Sequence, residues 1–570
     1  MGRPHAALKE IAGSAPSGGS GGVLLNAKLA RRLRVGLLLA APLLFLALFY
    51  ALPLAEIVRL SFLEGTAASL RALLARLFSA GTLRILGFTT GQALLSTAIT
   101  LILGVIGAYI YARLVFPGKA LLRTLITVPF VLPTVVVAAA FSAALGPRSP
   151  LGAWIGGGFD LRYTLLAILI AHVFYNYAVV VRLVSGFWSN LDPSLENAAR
   201  TLGASGWRTF WGVTFPLLLP AIGTAGMLVF IFCFTSFGVV LILGGPRFST
   251  LEVAIYRQTI DFANLPLAAA LSLLQVLMTL GFTLVYTRMQ GRLARSVELR
   301  PQWAVRRPPR HLPELLLVAG NALFSLLLIG FPLAVLVGRS FDAGLRYYAA
   351  LFENPRRSVF YVAPLAAVGN SVRFALATTA LALGLGLLTT LAIRQQRRGW
   401  LLDALFMLPL GTSAVTLGLG YLVALDRPPL DLRGTPLLIV FSHTLVALPF
   451  VVRSLLPAVQ SIRPQLREAA SVLGARPSRV FLEVDLPIIW RALGSAAVFA
   501  FTISIGEFGA TSMIARPELP TMPIAIYRFL SRPGALNYGQ AMAMSTLLMA
   551  VCAIGFLTVE RLSPPGEQPF

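Results

Sequence analysis

The segment LENAARTLGA at residues 195–204 is charged and rich in alanine, and a second version of it, LREAASVLGA, occupies residues 466–475. FPLLLP follows the first copy and DLPIIW follows the second. When Pro193–Pro216 is aligned with Pro464–Pro487, eleven of twenty-four positions are identical at a constant offset of 271 residues. Because composition alone would give about two identities, the segment belongs to an internal duplication.

The same offset aligns residues on both sides of this segment. It pairs His172 with His443, Arg182 with Arg453, Phe237-Gly238 with Phe508-Gly509, and the tetrapeptide AIYR at 254–257 with AIYR at 525–528. The register holds across apolar stretches as well as their connections, which indicates a repeated structural unit.

The composition is that of a membrane protein. Of 570 residues, 57% are apolar and 12% are charged, with a mean hydropathy of +0.80, whereas about a quarter of a soluble domain is charged. Runs of about 20 apolar residues can cross a bilayer as helices, and twelve are predicted: 35–61, 85–112, 121–145, 163–189, 217–243, 264–287, 313–338, 364–392, 401–424, 435–457, 489–513 and 536–559. The predicted fold is an all-α integral membrane protein with about twelve transmembrane helices, built as a tandem duplication of a six-helix unit.

The net charge of +25 comes largely from arginines in short loops, and the sequence contains no basic, aromatic-rich domain of the kind that binds nucleic acid. By the positive-inside rule, two Arg-rich segments are cytoplasmic, and they contain Arg31, Arg32 and Arg34, then Arg292, Arg295, Arg300, Arg306, Arg307 and Arg310. Six spans between them fit this rule, and both termini are then expected in the cytoplasm. Loops expected outside fit it less well, since they contain Arg71, Arg76, Arg356 and Arg357.

This organisation predicts five segments. They are a flexible tail at 1–34, a first half at 35–288 with its loop at 193–216, a basic linker at 289–312, a second half at 313–560 with its loop at 464–487, and a tail at 561–570. The two cysteines, Cys233 and Cys552, both lie in spans and form neither a metal-binding nor a disulfide pattern.

Each copy of the repeated segment is expected to form two short helices. A proline and a polar residue open the first helix near Ser194 or Gln465, and Gly203 or Gly474 then permits a sharp turn. Both segments follow the fourth span of their half, so they are expected on the cytoplasmic side, where a symmetric dimeric partner would fit them. The alternative is an amphipathic helix lying on the lipid headgroups.

The second copy resembles the EAA loop of ABC-importer permeases, in which EAA is followed after three residues by Gly and later by an apolar-Leu-Pro stretch. The matching residues are Glu468, Ala469, Ala470, Gly474, Leu486 and Pro487. The resemblance implies a type I importer permease unit in each half, with the loops acting as coupling helices that sit in grooves of two ABC ATPase subunits.

The first copy departs from that pattern, because Asn197 stands where Glu is expected and Phe215 replaces Leu before the proline. Its candidate coupling residues are Glu196, Asn197, Ala198, Ala199, Gly203 and Pro216. The difference implies that the two halves hold their ATPases unequally.

From about residue 85 onward the chain resembles the fused permeases of ferric-iron and thiamine-type importers. FTSFGVVLILGG at 234–245 and IGEFGATS at 505–512 are similar to the fifth-span segments of that group. The resemblance implies an external solute-binding protein and a bacterial plasma (inner) membrane location. It favours ferric iron as the substrate, with thiamine, phosphonate or a similar small solute as alternatives.

The sequence contains no G-x-x-x-x-G-K-[ST] motif for nucleotide phosphates. ATP is therefore expected to be used by separate subunits, and no cofactor is expected on this chain. No H-E-x-x-H motif occurs and the four histidines form no cluster in the sequence, so a non-enzymatic subunit without a metal site is expected.

Glu507 is the strongest candidate for a gate or pathway residue, because a carboxylate at membrane depth is costly and is retained for a reason. Phe508 and the aligned residues Ser236 and Phe237 are grouped with it. The alternative is that Glu507 reaches water at the outer interface or pairs with a nearby arginine.

The aligned residues His172 and His443 are expected to hydrogen-bond across helices, with a ligand or proton-relay role as the alternative. The AIYR repeats are expected in outer loops after the fifth and eleventh spans, as contacts for a binding protein or as an outer gate. An interfacial belt is the alternative, and the residues concerned are Tyr256, Arg257, Tyr527 and Arg528.

Two other functional classes remain open at this point. A secondary transporter driven by an ion gradient can also have two parallel six-span halves, but it would be expected to carry several charged residues in its spans. A non-transporting membrane scaffold would use the repeated loops as docking sites only.

Overall fold

The computed structural model describes residues 35–62, 67–147, 149–150, 152, 160–293, 307–353, 362–396, 399–426, 428 and 430–562. The N-terminal tail, most of the basic linker, the last eight residues, and Arg356 and Arg357 lie outside these ranges. Within them the fold is helical, and the one β-type contact is an isolated bridge between Leu114 and Arg307.

The described part of the first half contains eleven helices. They are α1 (Val35–Ser61), α2 (Ala67–Leu77), α3 (Ala80–Arg113), α4 (Lys119–Val131), α5 (Thr134–Leu145), α6 (Leu165–Trp188), α7 (Pro193–Thr201), α8 (Gly206–Phe234), α9 (Gly238–Leu243), α10 (Leu251–Ile260) and α11 (Leu265–Leu293).

The second half repeats this order. Its described helices are α12 (Leu312–Ser340), α13 (Arg346–Ala349), α14 (Ala366–Gln395), α15 (Gly399–Gly411), α16 (Ala414–Ala424), α17 (Leu437–Ser461), α18 (Pro464–Val472), α19 (Pro477–Gly506), α20 (Gly509–Ile514), α21 (Met522–Leu530) and α22 (Ala535–Leu562).

Ten of these helices are long and apolar enough to cross a membrane singly. Two further pairs qualify only together, because α4 and α5 meet at 105° and α15 and α16 at 91°. Prolines lie at both elbows: Pro133 precedes α5, and Pro409 lies in the last turn of α15. A proline removes a backbone donor and clashes with the preceding turn, which explains why a helix bends there.

Contacts at the helix ends define one face of the bundle, face A. Arg113 ends α3, and its guanidinium lies 2.9 Å from the Glu196 carboxylate of α7. Its carbonyl accepts a hydrogen bond from the backbone of Arg307, just before α12, at 3.0 Å. In the second half, Arg394 near the end of α14 donates to the carbonyl of Ile462, between α17 and α18, at 2.8 Å.

The first bent pair carries the chain from face A to the opposite face, face B. It begins on face A, where Lys119 Nζ donates to the carbonyls of Tyr111 and Leu114 at 2.9 and 2.6 Å. It ends where Leu161 donates to the carbonyl of Leu145 at 3.0 Å, just before α6 returns to face A. The pair is therefore one broken span.

The second bent pair does the same, since Leu432 donates to the carbonyl of Leu425 at 3.0 Å just before α17 begins its return to face A. Each half thus crosses the membrane six times, which confirms the predicted all-α fold with about twelve spans. Both repeated loops, both ends of the described chain and Arg307 lie on face A.

The two halves exchange their first spans. Helix α1 packs on α16 of the second half, and α12 packs on α5 of the first. Tyr50 bonds to Thr412 at 2.9 Å, while Tyr177 donates to Asn321 at 2.5 Å. Tyr50 and Asn321 are 271 residues apart, so equivalent positions anchor both exchanged helices. One buried apolar cluster runs through both halves as a result.

Three sequence predictions need correction. The third and ninth spans, each predicted as one run, are two helices that meet at a sharp bend. The fifth and eleventh spans end at Phe234 and Gly506, because the backbone leaves the helix before the apolar run is over. The AIYR repeats lie in α10 and α21, which are helices packed within the bundle and not loops.

Candidate functional site

The repeated segments fold as two short helices joined by a tight turn. Gly203 has a φ of +86° and Gly474 a φ of +82°, a conformation that a residue with a Cβ adopts only at a cost. Ala204 donates to the carbonyl of Ala199, and Ala475 donates to that of Ala470, at 3.0–3.1 Å. This six-residue closure with glycine just past the helix end is the Schellman cap, which explains the spacing between the alanines and the glycine.

Apolar side chains project from these turns. Leu202 is 88% exposed and Leu473 is 87% exposed, and Asn197 and Glu468 are also exposed. Single exposed leucines need no explanation, but these two lie at equivalent positions on one face, and each is fixed by a capped turn.

A partly buried polar contact ties each short helix to the rest of its half, and we call it the loop clasp. In the first half, Glu196 accepts from Arg113 at 2.9 Å and from Thr214 at 3.1 Å. In the second half, Arg467 donates twice to Asp485, at 2.6 Å each. Glu196 aligns with Arg467, so its carboxylate does not replace the missing motif glutamate at 197.

On the membrane side, the clasp residues are Thr214 in the first half and Asp485 in the second. Each is the last residue of a π-helical turn, Phe210–Thr214 and Phe481–Asp485. Such turns widen a helix locally and are common at functional positions. The repeated segments are therefore joined to α8 and α19 both through the chain and through a side-chain contact.

Four aromatic side chains meet between the two halves, and we call them the aromatic plug. Phe237 and Phe508 stack with ring centroids 5.4 Å apart and an interplanar angle of 23°. Tyr256 packs on Phe237, and Tyr527 packs on Phe508, each at 5.5 Å. The two pairs are related by the 271-residue offset, so the pseudo-twofold axis passes between the phenylalanines.

The plug lies where α8 and α19 stop, towards face B. Glycines follow both phenylalanines because the elbows of the broken spans leave no room. A Cβ on Gly238 would lie 2.4 Å from Thr134 Oγ1, and one on Gly509 would lie 2.9 Å from Ala414 Cβ. Contacts below 3.0 Å force a shift in a packed interior, so the elbows fix the backbone that presents the plug.

The two histidines hydrogen-bond to residues that lie close in the chain to the plug phenylalanines. His172 bonds to Ser96 and Ser236, at 2.9 and 2.8 Å. His443 bonds through one ring nitrogen to Ser504 and through the other to Thr511, both at 2.8 Å. Both rings therefore hydrogen-bond across helices in the manner that the sequence favoured.

Glu507 is buried and caps the start of α20. Its carboxylate accepts from the backbone of Ala510 at 2.8 Å and of Thr511 at 3.0 Å, and from the Thr511 hydroxyl. His443 Nε2 lies 3.4 Å away. Glu507 thus contacts backbone amides, a hydroxyl and a histidine, and in the described part of the chain none of these partners is an arginine. Its aligned partner Ser236 caps no helix.

Sequence reasoning missed a second buried carboxylate, Glu252 in α10. Gln275 donates to one of its oxygens at 2.5 Å, and Ser413 of the other half donates to the second at 2.6 Å. The residue aligned with it is Pro523. Placing this segment in an outer loop concealed it, although a glutamate directly before an apolar AIYR helix was a usable signal.

The four AIYR candidates separate into two pairs. Both tyrosines belong to the plug, and the phenols of Tyr256 and Tyr527 interact with each other. Arg257 instead donates to the carbonyl of Gly245 at 2.6 Å, which holds the turn after α9. Arg528 likewise has interaction partners.

On face B, Arg162 forms a bidentate pair with Asp160, at 2.8 and 2.9 Å. This pair lowers the pKa of the Asp160 carboxyl through its hydrogen bonds and charge. Next to it, Tyr163 is half-exposed and packs against Gly245, beside the turn that leads to the plug. In the described part of the chain, no three His, Cys, Asp or Glu side chains are grouped to hold a metal ion.

Comparisons with known proteins agree with this geometry. Residues 100–299 match the family described as "binding-protein-dependent transport system inner membrane component". The thiamine transport system permease protein ThiP of Brucella abortus (strain 2308) is 30% identical over 499 residues, which cover 85% of this chain and 89% of that protein. ThiP of Escherichia coli (strain K12) is 27% identical over 493 residues, covering 84% and 88%. A probable ABC transporter permease, y4fN of Sinorhizobium fredii, is 26% identical over 82% of this chain and 86% of its own length.

Proposed function

Because the chain belongs to the family of fused inner-membrane permeases of binding-protein-dependent ABC importers, we propose that it carries thiamine or a similar organic cation across the bacterial plasma membrane. The named relatives are thiamine permeases. They give no support to ferric iron, the substrate that the sequence favoured. Thiamine, one of the alternative substrates, is therefore proposed instead.

In this proposal face A is cytoplasmic, and the loops around Gly203 and Gly474 each hold one ABC ATPase subunit. Three observations support it: both loops lie on one face, both have the same capped turn, and both expose a leucine there. ATP is hydrolysed by those partners. A solute-binding protein delivers the substrate to face B, near Tyr163 and the turn at Gly245.

The stacked pair Phe237 and Phe508 carries the proposal for the gate. It closes the interface between the halves at the ends of two spans that continue directly into the coupling loops. Motion of a loop is therefore transmitted along one helix to one plug residue. When the halves separate, the same four rings line the opening, and aromatic faces attract organic cations.

The test is uptake of labelled thiamine into proteoliposomes that contain the whole transporter, with its two ATPases and its binding protein. We expect ATP-dependent uptake that excess unlabelled thiamine abolishes and ferric iron does not. Changing both plug phenylalanines to Ala should leave assembly intact but lose the coupling of uptake to ATP. Uptake of iron but not thiamine, under the same conditions, would overturn the substrate assignment.

The gate is tested separately with the double change Tyr256→Phe and Tyr527→Phe, which keeps the rings but removes the phenol interaction. Uptake should be largely retained, since the stacked faces remain. A loss as complete as that caused by changing both plug phenylalanines to Ala would mean that the hydroxyls, not the ring faces, form the closure.

A further inference from the structure

The plug is held by an unequal pair of contacts between the halves. Helix α10 carries Tyr256, and α21 carries Tyr527, so these two helices are the gate helices of the first and second halves. Glu252 lies one turn before Tyr256 and is 2% exposed. Pro523 occupies the aligned position in α21 and has no side-chain group that could bond across the interface.

Glu252 reaches the elbow of the opposite half. The Ser413 hydroxyl donates to the Glu252 carboxylate at 2.6 Å. The hydroxyl oxygen of Ser413 also accepts from the backbone amides of Val415 and Thr416, at 3.1 and 3.3 Å. Ser413 therefore caps α16, and its hydroxyl links the positive N-terminal end of that helix to the Glu252 carboxylate. Gln275 holds the other oxygen at 2.5 Å, so the carboxylate is fixed from both halves.

The mirrored elbow has no such bond. Pro133 occupies the position before α5 that Ser413 occupies before α16. It meets the second half through apolar packing, since a Cβ on Gly506 would lie 2.9 Å from Pro133 Cγ. Among the residues that the structure describes, the polar link between a gate helix and an opposing elbow thus exists on one side of the pseudo-twofold axis only.

We propose that Glu252 is the positioning residue that keeps the aromatic plug closed, by fastening the gate helix of the first half to the elbow of the second. The halves cannot separate at the plug without breaking the Glu252–Ser413 bond. Closure is then set from one side, and the Pro523 side is free to move first. This inference concerns the plug whatever solute passes it.

The experiment uses the assembled transporter in proteoliposomes without ATP and follows the efflux of trapped tetramethylammonium. Because the probe is not the substrate, failure of the thiamine assignment leaves this test unaffected. Glu252→Met keeps the length of the side chain but removes both oxygens. It should raise the efflux rate about tenfold, since a buried hydrogen bond between the halves is lost and the closed state is favoured less.

The conservative variants separate bonding from packing. Glu252→Gln and Ser413→Thr can still hydrogen-bond across the interface. Their efflux rates should be no more than about twice that of the unchanged protein, which is well below the increase expected when the bond is lost. Ser413→Ala should leak like Glu252→Met, and the double variant should leak no more than either single one. Pro523→Met, at the mirrored position, is the matched control and should not leak.

Three results would overturn the proposal. They are an unchanged efflux rate for Glu252→Met in a complex that still contains its ATPases, equal leakage for Glu252→Gln and Glu252→Met, or additive leakage in the double variant. If Glu252→Met does not assemble, the comparison of Ser413→Ala with Ser413→Thr decides the question alone.

Discussion

Glu196 and Arg467 occupy the same position in the two repeats and carry opposite charges, yet each fastens its short helix to the span that follows. Glu196 accepts from Thr214 and Arg113, and Arg467 donates to Asp485. Both halves thus have the contact, but the short helix supplies the acceptor in the first half and the donor in the second. What the fold requires at this position is a partly buried polar contact across the turn, and either sign of charge supplies it.

Breaking the clasp of the second half should cost more stability than breaking that of the first. Arg467→Ala leaves Asp485, whose side chain is 5% exposed, without its charged partner, and such a loss costs roughly 3 kcal/mol. Glu196→Gln can still bond to Thr214 and Arg113. We expect a clearly lower midpoint of thermal aggregation in detergent for Arg467→Ala than for Glu196→Gln.

The exchanged variant, Arg467→Asp with Asp485→Arg, is the control. It should recover most of the loss, because the charges are swapped and the contact remains. A double variant as unstable as Arg467→Ala would mean that the surroundings fix the polarity after all.

Glycine at the turn is needed for backbone conformation, not for space. No atom lies within 4 Å of a Cβ built on Gly203 or Gly474, so Gly474→Ala adds only the cost of a positive φ, roughly 1 kcal/mol. We expect it to reduce ATP-coupled uptake while the protein stays in the membrane, and Gly474→Pro to abolish coupling.

Gly474→Asn should retain more coupling than Gly474→Ala, because asparagine tolerates the left-handed region. Gly384→Ala is the matched control, since that glycine is helical, open on all sides and without a positive φ. Equal uptake for the Ala and Asn variants would argue against backbone strain as the cause.

The two coupling loops should bind their ATPases with different strength. Glu468 matches the family pattern and is exposed, while Asn197 at the aligned position is exposed but uncharged. We expect Glu468→Ala to weaken ATPase binding by roughly 1 kcal/mol or more, as for a contact at the centre of an interface, and Asn197→Ala to have a smaller effect. Co-purified ATPase per permease, measured over a dilution series, checks this; equal losses would contradict the asymmetry.

The elbow of the first broken span should tolerate no side chain on the glycine that it touches. Gly238→Ala places a Cβ 2.4 Å from Thr134 Oγ1, and such overpacking costs about 1–3 kcal/mol. Thermal aggregation should occur earlier, and adding Thr134→Ala should restore part of the stability, since Thr134 Cβ itself lies 3.1 Å away. No recovery in the double variant would place the strain elsewhere.

The sequence was sufficient for the number of spans and for the shared face of the loops, because apolar length and the 271-residue offset both survive in the residues themselves. It was not sufficient for the breaks at Ser236 and Glu507. Hydropathy measures how apolar a run is, but it does not show where the backbone leaves the helix. The apolar run continues past both breaks. The plug was only half foreseen for the same reason, since Tyr256 and Tyr527 were placed in loops.

The proline-containing elbows could have been predicted. VPFVLP at 128–133 and LPLGTS at 408–413 each put proline into an apolar run, where it bends or breaks a helix. Glu252 was harder, because its importance depends on Ser413, which is 161 residues away and in the other half. Periodicity and composition carry no information about such a pair.

The exchanged first spans have a consequence for the history of the chain. Each half leaves part of its core to be covered by a helix from the other, so two separate half-length chains could fold only by finding each other at sufficient concentration. Fusion through the linker makes that encounter intramolecular and raises the effective concentration. Fusion also allows the two halves to differ in sequence. A pair of identical subunits would have to carry Glu252 on both sides of the axis, whereas this chain carries it on one.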